Sequence, residues 1–363
     1  MIKATFVLEQ HIGHRTFAQN LRRFIAPRED LQSNWVDVTY EEPGTVWSRL
    51  PIPEKVRGPL NGRSQARHGL QQNPPDVAIF NTQVPAALAG NVVQNQPSFL
   101  CTDITPRQYD EMAEHYHHTP DADGPISQLK HRRNQQLFQS AARVLPWSTW
   151  VADSLIQDYG VDPDKVTVLP PGVDLDMWTP HYKPNAAGPM HILFVGGDFY
   201  RKGGETLLEA FKMLPEGTAV LHLVTRSDIP SAANIHVYGN MQPNTPELLA
   251  LYAQADVFVL PTRAEAFGIA AVEAAASGLP VIATRVGGLV DIVRDGETGF
   301  LLPPDDAAGL CDRLNLLAQD PDRRYQMSLA ARQHAEAHFD AQRNAEKLVD
   351  LILSLLPEEE NQA

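Results

Sequence analysis

Residues 255–299 read ADVFVLPTRAEAFGIAAVEAAASGLPVIATRVGGLVDIVRDGETG. Two short apolar runs, Val257 to Leu260 and Pro280 to Ala283, are each bounded by turn residues. Between them lies a small-residue segment of helical composition, Ile269 to Ala276. Strand, loop, helix and strand make the repeating unit of a parallel sheet. Ligands of such sheets sit outside the carboxyl ends of the strands. That end carries Thr262, Arg263, Glu265, Phe267 and Gly268. Two glutamates stand eight residues apart, Glu265 in the loop and Glu273 about one turn inside the helix.

The remainder of the chain fits that unit. Its 363 residues suffice for two domains, each with a core. Hydrophobic content of 43% is ordinary for a soluble globular protein. Cys101 and Cys311 make no disulfide framework, so a reducing compartment is the default. No apolar run is long enough to span a bilayer. The opening MIKATFVLEQ reads as a first strand, too short and broken for a signal peptide. A net charge of -14 argues against a nucleic-acid partner. The expected location is cytoplasmic. Arg49, Lys55, Arg57, Arg63 and Arg67 face only Glu54 in their stretch. They read either as a solvated face or as a peripheral contact of the N-terminal domain with the inner membrane surface.

Candidate strands in the first half are Thr5 to Leu8, Val77 to Phe80, Ser98 to Cys101 and Arg143 to Pro146, with a helix through Phe17 to Phe24. Residues 41–75, rich in Pro, Gly and Arg, read as a long surface excursion, and residues 104–125 as a second. Prolines and glycines cluster at 170–190, as in a hinge. A second alternation follows, with strands His191 to Val195, Ala219 to Val224 and Ile235 to Tyr238 before the two already described. From Phe339 the chain reads as an amphipathic helix with an acidic tail. Two open parallel sheets joined by a hinge imply a ligand cleft between domains.

The second domain opens HILFVGGDFYRKGGETLLEAF, an apolar strand running through Gly196 and Gly197 to Arg201, Lys202, Gly203 and Gly204. Glycines let backbone approach a ligand, helix-initial amides attract anions, and the basic pair adds charge suited to a diphosphate. The plainer alternative is a turn with a solvated basic pair. A second helix starts near Phe267, Gly268 and Ile269. Glu265 cannot serve a phosphate there, so it suits neutral hydroxyls, and Glu273 suits a ribose diol. Macrodipole stabilisation of N-terminal glutamates explains Glu265 in part and Glu273 poorly.

Taken together, residues 190–305 resemble the nucleotide-sugar domain of retaining GT-B glycosyltransferases of the family-4 type. EAFGIAAVE matches that family's E-x7-E signature, and ADVFVLPT, ASGLPVIAT and DGETGFLLPP match its flanking pattern. LPWSTWVADSLIQDYGVDPDKVTVLPPGVDLDMW resembles the segment leading to its interdomain linker. The resemblance implies an α/β fold of two Rossmann-like domains facing each other across a cleft. Residues 1–180 would be the acceptor domain, with a C-terminal helix 341–356 crossing back to it, and 186–338 the donor domain. It also implies residue roles. Arg201 and Lys202 would hold the diphosphate, with Gly197 at the strand end where an arginine is common. Glu265 would contact the transferred sugar, with the amides of Phe267, Gly268 and Ile269 beside it, and Glu273 the ribose. Gly13 would belong to a phosphate-closing loop, where two glycines are usual. The family's frequent His-Asp pair reads Thr102-Asp103 here, leaving Asp103 as the candidate catalytic carboxylate.

The implied activity is retaining transfer of a hexosyl group from a nucleotide diphosphate sugar. The acceptor is left open among glycan, lipid-linked glycan and small metabolite. No cofactor or metal is expected, because Arg201, Lys202 and the helix start would neutralise the leaving diphosphate. The triplets Asp121-Ala-Asp123, Asp162-Pro-Asp164 and Asp174-Leu-Asp176 sit beside Gly or Pro, where Asp caps turns. His115, His117 and His118 read as a solvated loop, a zinc cluster or acceptor-pocket groups. His14, more than His11, suits the cleft. Trp147, Trp150 and Trp178 read as packing groups at the domain junction rather than sugar platforms. Two rival readings are a non-catalytic nucleotide-sugar-binding homologue and a nucleotide-sugar epimerase of similar fold.

Overall fold

The computed structural model describes residues 1–10, 12–41, 53–120, 122, 124–182, 188–230, 232–239 and 241–355. The chain divides into two compact units. Unit 1 comprises Met1–Tyr109, Pro120–Pro171 and Ala341–Ala363, and unit 2 comprises Asp110–Thr119 and Gly172–Asp340.

Unit 1 runs β1 (Ile2–Glu9), α1 (Ile12–Ile25), β2 (Leu31–Val38), α2 (Glu54–Gln72), β3 (Val77–Asn81), α3 (Gln83–Leu88), α4 (Val92–Asn95), β4 (Ser98–Thr102), α5 (Pro106–Glu111, ending in unit 2), α6 (Pro125–Ser140), β5 (Arg143–Pro146) and α7 (Thr149–Gln157). Its five strands are parallel in the order β2-β1-β3-β4-β5. β3 and β4 are buried throughout, and their centres, Val77–Phe80 and Phe99–Cys101, are apolar, as strands covered on both faces require. One face carries Val7, Phe80, Leu100 and Val144 against Ala66 and Leu70 of α2, Leu137 and Phe138 of α6, and Val151 and Leu155 of α7.

Unit 2 runs β6 (Met190–Val195), α8 (Gly204–Met213), β7 (Ala219–Val224), β8 (Ile235–Tyr238), α9 (Pro246–Gln254), β9 (Val257–Leu260), α10 (Ile269–Ala276), β10 (Val281–Thr284), α11 (Leu289–Ile292), β11 (Gly299–Leu302), α12 (Ala307–Gln319) and α13 (Pro321–His338). Its six strands are parallel in the order β11-β10-β9-β6-β7-β8. After it α14 (Ala341–Leu353) returns to unit 1. There α14 packs on α1 through a stripe that includes Ala345, Leu348, Val349 and Ile352.

Two expectations are corrected. Residues 41–75 are not one long excursion, because Glu54–Gln72 is a helix of 19 residues. The glycines that suggest a loop are contact points: a Cβ on Gly62 would lie 2.7 Å from the Tyr40 ring, and one on Gly69 would overlap Val36. Asn61, Ala66 and Leu70 complete the buried stripe. The excursion 104–125 likewise contains α5. The strand β2 carries no clear signal in the sequence. It is an edge strand, LQSNWVDV, mostly half-buried and polar at several positions, so its apolar pattern is weak. His11, Arg49, Asp121 and Asp123 lie outside the described residues. No helix among the described residues is long and apolar enough to cross a membrane.

Candidate active site

A parallel sheet opens a crevice where its strand order reverses. In unit 2 the reversal falls between β6 and β9. The segment after β6 contains Gly197, Arg201 and Lys202, and the segment after β9 contains Glu265, Phe267 and Gly268. Topology therefore brings both expected donor loops to one place.

The turn leaving β6 is held by its own side chains. Asp198 accepts from the Arg201 amide at 3.1 Å and from its Nε at 3.3 Å. Gly203 then takes φ 76°, and a Cβ there would overlap the Pro261 carbonyl. Only glycine lets the two loops meet so closely. The Arg201 guanidinium donates to the Ala264 carbonyl at 2.8 Å and lies 4.7 Å over the Tyr116 ring. Lys202 Nζ pairs with Glu265 Oε2, both largely buried. Arg263, by contrast, is committed to Asp305 and to the Tyr200 carbonyl.

Gly268 caps α10 with φ 103°, and a Cβ on it would lie 2.7 Å from Leu289 Cδ2. The Phe267 side chain is buried and faces Phe339, so only its backbone is available to a ligand. Ile269 opens α10 and is half-buried. Glu273 is buried on the same helix and accepts from Tyr252 Oη at 3.0 Å. Burial pushes its carboxyl up to about 7, against the hydrogen bond from Tyr252. A Cβ on Gly197 would lie 2.9 Å from Nε of Arg226, an exposed cation just beyond β7. Arg226 was not singled out in the sequence. Its position directly after an apolar strand and Thr225 is the signal that marks it.

In unit 1 the order reverses between β1 and β3. His14, in the first turn of α1, sits at that end beside exposed Gly13. Its Nδ1 lies 3.2 Å from the Asn81 amide nitrogen and its Nε2 3.5 Å from Asp103 Oδ2. Asn81 Oδ1 is buried and has no hydrogen-bond partner. Next to it Glu9 accepts from Tyr40 Oη at 3.0 Å and Thr82 Oγ1 at 2.9 Å. Thr102 is buried, and its hydroxyl lies 2.7 Å from Gln83 Oε1 and 2.9 Å from the Ile104 carbonyl, sharing its one proton between them, so it is engaged in the fold. The sequence missed Asn81 and Glu9 because each ends an apolar strand and becomes notable only beside its partners.

His118 Nε2 lies 2.8 Å from Asp110 Oδ1, and His117 is exposed with φ 51°. Both belong to unit 2, on the segment that places Tyr116 under Arg201. Asp162 and Asp174 each accept from the amide two residues on, as turn caps do. No group of three His, Cys, Asp or Glu among the described residues is arranged to hold a metal. Trp147 packs on His14 and Phe17 within unit 1, and Trp178 on Tyr252 within unit 2.

Two parallel α/β units, each with a reversal of strand order, and glycine turns at the reversal point of unit 2, are the architecture of GT-B glycosyltransferases. Sucrose-phosphate synthase from Thermosynechococcus elongatus has this fold, with a TM-score of 0.77 over 98% of this chain and 99% of that one at 18% identity. Anabaena Alr3699/HepE, solved in complex with UDP-glucose, gives 0.71 over 98% and 100% at 16% identity. Residues 189–320 match the family model of Glycosyl transferases group 1, and residues 33–177 that of Glycosyltransferase Family 4. The D-inositol 3-phosphate glycosyltransferase of Corynebacterium aurimucosum is 33% identical over 333 residues, 80% of this chain and 78% of that protein. The chain belongs to glycosyltransferase family 4. The enzyme of the same name from Arthrobacter sp. (strain FB24) is 36% identical over 232 residues, 58% of this chain. The chain spans about half the length of that relative, 55%.

Proposed function

We propose that this protein transfers a hexosyl group from a nucleoside diphosphate sugar to a hydroxyl acceptor, with retention and without a metal. The observation that carries the reading is the Lys202–Glu265 pair at the reversal point of the unit 2 sheet. A cation for the diphosphate and a carboxylate for sugar hydroxyls stand side by side, as a phosphate–sugar junction requires. Breakage of the glycosyl–phosphate bond leaves negative charge on the departing diphosphate. Lys202, Arg201, Arg226 and the amides at the start of α10 would stabilise it. Glu273 would accept from the ribose diol. In unit 1, Asn81 Oδ1 and the His14–Asp103 pair would meet hydroxyls. His14 stands beside Asp103 where the family's frequent histidine is replaced by Thr102. Retention is taken from the family resemblance.

The relatives' name makes a small phosphorylated polyol the first acceptor class to try, ahead of glycan and lipid-linked acceptors. The test has two stages. Calorimetric titration with UDP, GDP and ADP, with and without magnesium, identifies the donor base. Incubation with the matching glucose donor and inositol 3-phosphate is then followed by mass spectrometry and anomeric NMR. Metal-independent binding of one nucleotide and an α-linked product support the reading. Absence of binding by all three overturns it.

A further inference from the structure

The segment Asp110–Thr119 belongs to unit 2, although the chain before it, Met1–Tyr109, and after it, Pro120–Pro171, belongs to unit 1. Its backbone closes on itself. Tyr116 N donates to the Met112 and Ala113 carbonyls at 3.3 and 3.2 Å, and His118 N to the Ala113 carbonyl at 3.0 Å. His118 Nε2, 2.8 Å from Asp110 Oδ1, ties the far end of the segment to its start. Ala113 within it is buried. A turn fixed in this way carries Tyr116 to Arg201, whose guanidinium carbon lies 4.7 Å from the centre of the tyrosine ring.

A guanidinium has five N–H donors in a planar fork. In Arg201, Nε donates to Asp198 Oδ2 at 3.3 Å and Nη1 to the Ala264 carbonyl at 2.8 Å. Among the described residues none accepts from Nη2. The Nη1–Nη2 edge, the side that fits a phosphate in two-pronged fashion, thus keeps its remaining donors. Lys202 next to it is paired with Glu265, and Arg263 with Asp305. A ring face holds a cation without taking that edge and without cancelling the charge, as a second carboxylate would. It also lowers the cost of ordering a long side chain when a ligand arrives. We propose that Tyr116 is a positioning residue of the donor site: its ring sets the plane of the Arg201 guanidinium, so that the Nη1–Nη2 edge meets the diphosphate already oriented. The role rests on the donor-site reading of unit 2, and it gives the segment of His115, His117 and His118 a part in donor affinity.

A binding cycle on the full chain tests it, with whichever of UDP, GDP and ADP the parent binds as the probe. Its corners are the parent, Tyr116→Leu, Arg201→Ala and the double variant. Tyr116→Leu is expected to weaken binding about three- to tenfold, and Tyr116→Phe, which keeps the ring, less than about twofold. On the Arg201→Ala background, Tyr116→Leu should change nothing further, because the cation it positions is gone. Thermal melting accompanies each variant, and Tyr116→Met replaces the leucine variant if that one melts lower. A tyrosine that only packs would give equal losses on both backgrounds, and that result overturns the proposal. Parent-like binding by Tyr116→Leu or by Arg201→Ala also overturns it, as does a loss in Tyr116→Phe as large as in Tyr116→Leu. A parent that binds none of the three nucleotides overturns the donor-site reading, and the role of Tyr116 with it. The other adverse results leave the Lys202–Glu265 site standing.

Discussion

The proposed donor site turns on how few residues carry opposing charges. Lys202 and Glu265 are paired at low exposure, so each is costly to leave alone. Glu265→Ala removes the proposed sugar ligand and would leave Lys202 free for phosphate. Transfer is expected to fall by at least about a hundredfold, while nucleotide affinity stays level or rises, since catalytic contacts of this kind are worth about 3 kcal/mol or more. Turnover assays and calorimetry on one preparation check both halves, and transfer within a few-fold of the parent would reject the role. Lys202→Ala should weaken nucleoside diphosphate binding about tenfold at fixed salt. Unchanged affinity would reject the diphosphate assignment. Glu273 gives a stability test. Its ordinary value of 4.5 rises to about 7 in the fold. Between those values the folded protein keeps a proton that the unfolded chain has released. Stability must therefore fall as pH rises from about 4.5 to about 7, by up to about 3 kcal/mol from this group. Glu273→Gln should flatten that slope in urea titrations across the window. A slope identical to the parent's would mean the carboxyl is ionised throughout.

At the scale of elements, the turn between β6 and α8 decides whether the cations reach the site. Gly203 combines a left-handed backbone with the Pro261 carbonyl where a side chain would be. Gly203→Ala adds both penalties and should cost about 2–4 kcal/mol while weakening donor binding. Gly217 has φ 77° and open space within 4 Å of where its Cβ would lie, so Gly217→Ala should cost only about 1 kcal/mol. Equal losses in urea denaturation would show that crowding at Pro261 relaxes freely. The same reasoning explains α2. Its glycines pack the helix on Val36 and Tyr40, a use that composition alone cannot separate from a loop.

At the scale of the molecule, α14 completes a unit that begins more than three hundred residues earlier in the chain. Leu348, Val349 and Ile352 are fully buried, and burial of each contributes about 1.5–3 kcal/mol. Truncation after Asp340 should therefore remove several kcal/mol and expose apolar surface on α1. Dye-binding fluorescence and solubility check this, and a truncated chain that stays folded and dye-silent would contradict it.

What the sequence determined by itself was local. Apolar runs bounded by turn residues marked β1, β3 to β10 and the helices α1 and α10, and amphipathic spacing marked α14, because a covered strand must be apolar, a strand end must turn and a docked helix needs one apolar face. The eight-residue spacing of Glu265 and Glu273 set one on a loop and one on a helix. The edge strand β2, the glycine-lined α2 and short β11 depend on neighbours that local composition does not describe. The partners were decided by tertiary structure alone. Lys202 meets Glu265 across 63 residues, and His14 meets Asn81 across 67. The reversal in strand order brings those chain-distant loops together, and no pattern within either loop encodes that order.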